Sequence, residues 1–86
     1  MDLFDFAMVL DVQPPQADKQ FERAVRMARP LPGMRVTVRS ECLLLFTVEA
    51  EMEFLAIEKA EQWLQSIAKA NPPIKVNTNP QPSHEV

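Results

Sequence analysis

The chain predicts an α+β domain, a two-layer sandwich with the element order strand, helix, strand, strand, helix, strand. Three observations predict it. Eight prolines fall in four close pairs, Pro14-Pro15, Pro30/Pro32, Pro72-Pro73 and Pro80/Pro82, and none interrupts a stretch with apolar periodicity. Proline has no backbone donor and a fixed φ, so these pairs punctuate the chain. The segments between them switch between period-two and helical spacing. One of them, 42–48, is apolar on both faces, the mark of a central strand.

Residues 3–12 put Phe4, Phe6, Met8, Leu10 and Val12 on one side, and Leu3, Asp5, Ala7, Val9 and Asp11 on the other. Burial of the even positions makes this a strand. Residues 16–29 carry Ala17, Phe21, Ala24, Val25 and Ala28 at helical spacing, with Asp18 near the start and Arg26 and Arg29 near the end, as the helix dipole favours. Pro30-Leu31-Pro32-Gly33 stops that helix. Met34, Val36 and Val38 then alternate with Arg35, Thr37 and Arg39 in a one-sided strand over 34–39. Ser40-Glu41 turns the chain into the strand 42–48. Glu49, Glu51 and Glu53 mark the start of a long helix to about residue 70, striped with Ala56, Ala60, Trp63, Leu64, Ile67 and Ala68. Ile74 and Val76 flank Lys75 in a short last strand, 74–76. The polar segment 77–86 has no apolar pattern and is expected to be a disordered tail, which leaves 1–76 as a single domain.

This order is the split βαβ plan, and over residues 3–76 the layout resembles ferredoxin-like folds. The resemblance implies a βαββαβ sandwich: a four-stranded antiparallel sheet, both helices on one face, the first and third strands central. Many functions share that layout, so function must come from particular residues.

The apolar fraction of 47% and charged fraction of 24% are those of an ordinary globular protein. The longest apolar runs, 6–10 and 42–46, are far too short to span a bilayer, so no membrane partner is expected. The start Met-Asp-Leu-Phe-Asp lacks a basic leader region and Cys42 has no partner for a disulfide, which predicts a cytoplasmic protein. A net charge of −3 argues against a nucleic-acid partner. The charge is segregated: 1–18 hold four acids and no base, 19–39 six bases and one acid, 40–61 six acids and one base. Such blocks are expected to pair with neighbours in the fold or to guide association. Glu58 and Glu61, in particular, are expected to face Arg23 and Arg26.

Little in the chain demands catalysis, and a non-enzyme is expected. His84 is the only histidine and lies in the expected tail. Cys42 has no rigid base beside it and is expected to pack in the core or an interface. The single glycine, Gly33, excludes glycine-rich phosphate loops. No metal or cofactor site is expected. RNA-recognition motifs need aromatic side chains where this chain has Ala7, Val9, Leu43 and Leu45, and metallochaperones of this layout need a second cysteine. Asp11, near the end of the first strand, is similar in position to the metal-binding acid of small dimeric ferredoxin-like nucleases of CRISPR systems. The chain departs from them in its acidic charge and in lacking their extra strand.

The informative feature is the sheet face that the helices leave open. With even residues of the first strand turned to the helices, Ala7 and Val9 point outward. A two-residue turn at Ser40-Glu41 would expose Cys42, Leu44 and Phe46, whereas a three-residue connection exposes Leu43 and Leu45. The second is preferred because it buries Phe46. Arg35 and Arg39 border the strip, as does Lys75. The expected function is a small non-catalytic interaction or regulatory domain, forming a homodimer or binding a protein partner through Ala7, Val9, Leu43, Leu45, Arg35 and Arg39. Two other classes stay open. One is a metal-dependent nuclease or nucleic-acid-associated protein built on Asp11; the other is a small dimeric enzyme in which Arg35 and Arg39 bind an anion.

Overall fold

The computed structural model describes residues 1–82. Strand β1 (Asp2–Gln13) leads through a 3-10 turn (Pro15–Ala17) into α1 (Asp18–Met27). Strands β2 (Met34–Ser40) and β3 (Leu43–Ala50) form a hairpin, and α2 (Glu53–Lys69) returns the chain to β4 (Lys75–Pro82). The four strands make one antiparallel sheet in the order β2-β3-β1-β4.

Period two puts the even residues of β1 on one side, and that side is the core. Phe6, Met8, Leu10 and Val12 form one buried cluster with Leu44, Phe46 and Val48 of β3, Val76 of β4, Phe21 and Val25 of α1, and the α2 stripe. Both helices therefore cover the same sheet face. Ala56 and Ala60 are fully buried and let α2 approach the strands closely. Phe46 stacks on Phe6 with ring centres 5.5 Å apart and meets the edge of Trp63 at 6.1 Å. Trp63 satisfies its one donor by giving Nε1–H to the Arg29 carbonyl at 3.1 Å. Gly33, at φ +76°, turns the chain into β2, and its carbonyl accepts from the Glu49 N–H at 2.8 Å.

Four local expectations change. The long helix begins at Glu53, because β3 continues to Ala50 and Glu49 is a ladder residue bonded to Gly33. Cys42 lies exposed in the turn, where its N–H donates to the Ser40 hydroxyl at 3.3 Å. Arg23 and Arg26 do not meet Glu58 and Glu61. Arg26 instead pairs with Glu22 at 2.9 Å, Glu61 accepts from the Thr78 hydroxyl, and Glu58 accepts from Gln62. Finally, 77–82 is the larger part of β4, where a disordered tail was expected; residues 83–86 lie outside the described residues.

The extension of β4 to Pro82 has a simple physical cause. The Gln65 side chain donates to the Val76 carbonyl at 2.8 Å, so Val76 directs its backbone groups away from β1. Alternation then turns Thr78, Pro80 and Pro82 the same way. The missing N–H of each proline falls on the outer edge of the sheet, where no ladder bond is lost.

Candidate functional site

The hairpin register decides which side chains reach the uncovered face. Val38 pairs with Leu44 and Ser40 with Leu43, so the extra residue, Arg39, sits in a bulge. The turn itself has two residues, but the bulge shifts parity as a three-residue connection would. Phe46 is accordingly 2% exposed and faces the helices, while Leu43 and Leu45 are half-buried on the opposite face.

On that face Val9 is paired with Leu43, and Ala7 with Leu45, across the central strands. These four make one continuous apolar strip. Val9 is 36% exposed, but Ala7 is at 0%, its lone methyl set between its cross-strand partners Leu45 and Gln81. Ala7 is therefore the floor of the strip and offers no contact surface of its own. Arg35 is exposed opposite Thr47, and Thr47 donates its hydroxyl to Asp5 at 2.6 Å, closing one end of the strip. Asn77, Asn79 and Gln81 of β4 pair with Asp11, Val9 and Ala7 and form a polar border. Arg39, held in the bulge, is exposed at the far end of β2. The structure thus gathers Ala7, Val9, Leu43 and Leu45 at the centre and sets Arg35 and Arg39 on the flanking strand. Residues 77–82 lie in the plane of the sheet and do not fold back over the strip.

Compared with protein-family models, curated proteins and solved structures, the chain matches none.

Asp11 is exposed, faces Asn77 across the ladder and accepts a hydrogen bond from Gln13 at 3.1 Å. Among the described residues no three His, Cys, Asp or Glu side chains are grouped closely enough to hold a metal ion. Sequence reasoning also missed a second apolar surface. Met52, Phe54 and Leu55, at the start of α2, are 53%, 58% and 38% exposed. They share the end of the sandwich at which β1 begins. Their signal was hidden by the interleaved Glu51 and Glu53, which read as the polar start of a longer helix.

Proposed function

We propose that this chain is a ferredoxin-like, non-catalytic interaction domain that pairs with a second copy of itself through the uncovered sheet face. The observation that carries the reading is the strip of Val9, Leu43 and Leu45 over Ala7, centred on the two inner strands. The face also bears both signs of charge, with Asp5 and Asp11 on β1, Arg35 on β2 and Lys75 on β4. A second copy laid across it meets opposite charges as well as apolar surface, which favours one register over its alternatives. Symmetric pairs are the commonest soluble assemblies. An exposed, single Cys42 fits a reducing compartment such as the cytoplasm.

Four strands at about 4.8 Å spacing and about 7 residues of ~3.4 Å rise give the face a plan area on the order of 450 Å². Stable interfaces bury about 800 Å² of accessible surface per partner, more than this plan area, so the whole face must take part and the pairing falls at the weak end. The expected dimer therefore forms reversibly with concentration. Sedimentation velocity across a dilution series tests it: a monomer–dimer equilibrium that Leu45→Arg shifts to monomer supports the reading, and a wild-type monomer at every concentration refutes it.

A further inference from the structure

A four-stranded open sheet has two edges, and this one treats them differently. Along β4 the outward positions are Val76, Thr78, Pro80 and Pro82. The Val76 carbonyl is already taken by Gln65, and neither proline has an N–H to offer. That edge is closed to another strand. On β2 the carbonyl of Gly33 bonds inward to Glu49, so alternation points Arg35 and Thr37 inward and Met34, Val36 and Val38 outward. The Met34 N–H is used by the Leu31 carbonyl at 3.0 Å. Among the described residues no hydrogen bond covers the outward N–H or C=O of Val36 or Val38. No proline interrupts them.

Beside this bare edge runs a groove of about 260 Å³, lined by Val25, Arg26, Ala28, Val36, Val38 and Trp63. It lies between β2 and α1, on the helix side of the sheet. An added strand would send alternate side chains into it. The intervening side chains would lie on the other face, beside Arg35 and Arg39. The segment 19–39 carries six bases and one acid, and the Arg26–Glu22 pair is the one ion pair among the described residues. The bases flanking β2 thus keep their charge unanswered within the domain.

We infer that the β2 edge docks an extended segment of another protein by strand addition, and that this segment alternates apolar and acidic side chains. Backbone groups of Val36 and Val38 hold the main chain, the groove takes the apolar side chains, and Arg35 and Arg39 select the acidic ones. A second β2 is a poorer occupant. The antiparallel self-pairing with the longest overlap, centred on Thr37, sets Arg35 directly opposite Arg39 of the other copy, twice. The inference does not depend on the sheet-face dimer: the outward backbone of Val36 and Val38 and the groove lie off that face, and Arg35 is the residue the two surfaces share.

The test is fluorescence anisotropy of a labelled eight-residue peptide alternating Glu and Val, titrated with the full chain. Controls are a peptide of the same composition with Glu and Val in separate blocks, and one with Lys for Glu. The alternating acidic peptide should bind, weaken with added salt, and bind at least about tenfold more tightly than either control, the worth of one or two hydrogen bonds. Val38→Pro, which removes an outward donor and no inner ladder bond, should weaken binding by at least about tenfold while Trp63 fluorescence stays native. If that variant does not fold, the double variant Arg35→Glu with Arg39→Glu serves, and should reverse the preference toward the Lys peptide. Leu45→Arg, one strand in from the edge, should not weaken peptide binding. The inference is overturned by no binding of the alternating peptide, by equal binding of the block peptide, or by binding indifferent to both edge variants. It is also overturned by a wild-type dimer that Val38→Pro dissociates and Leu45→Arg does not, which would make a second β2 the occupant.

Discussion

Truncating two neighbouring leucines should give very different losses of stability. Leu44 is 1% exposed, packed between Val38 and Met8 under the helices. Leu44→Ala removes its transfer free energy and leaves a cavity enclosed on all sides, which costs about 2–5 kcal/mol. Leu45 is half-buried on the open face between Ala7 and Thr37. Leu45→Ala forfeits only part of a leucine's burial and encloses no cavity, so about 1 kcal/mol or less is expected. Urea unfolding followed by Trp63 fluorescence reads both, since Trp63 is 5% exposed and touches the Phe46 ring. With an m-value of about 1–2 kcal/mol/M for a domain this small, the midpoint should fall by more than about 1 M for Leu44→Ala and by well under that for Leu45→Ala. The comparison belongs at two protein concentrations, so that self-association through Leu45 shows as concentration dependence. A reversed order, or equal losses at the lower concentration, would refute the β3 register and the bulge at Arg39.

Two further perturbations probe the frame that presents the surface. Gly33→Ala should lower stability by about 1–2 kcal/mol, because Gly33 sits at φ +76° and an added Cβ would lie 3.1 Å from the Glu49 Cβ; an unchanged melting temperature would contradict this. Ending the chain after Val76 strips β1 of the partners of residues 6–11 and bares Phe6, Met8 and Leu10, so the cooperative urea transition should be lost or fall to a far lower midpoint. Near-native unfolding of that truncated chain would show that 77–82 adds nothing to the fold.

The legible parts of the chain were those where one physical signal acted alone. Alternation in β1 and β2 had a single explanation, and Phe6, Met8, Val36 and Val38 all face the core as that pattern requires. The choice of parity in β3 rested on the cost of exposing Phe46, and that cost prevailed. What escaped was decided by edges and neighbours. The sequence NTNPQP is polar and twice interrupted by proline, so composition alone assigns it to a tail. It is a strand because its outward positions need no donors, a fact about sheet order that no local window contains. Ala7 faces the open side, as alternation in β1 requires, yet its small size lets Leu45 and Gln81 bury it. The bulge at Arg39 has no signature in the residues themselves. It reconciles a two-residue turn with a register that keeps Phe46 dry.

The central question for this protein is whether its uncovered sheet face is a contact surface. Sedimentation velocity of the wild type beside Leu45→Arg addresses this most directly. The wild type should form a concentration-dependent dimer, and the variant a monomer with unchanged Trp63 fluorescence. A wild type that is monomeric throughout, or a dimer indifferent to arginine at the centre of the strip, would contradict this.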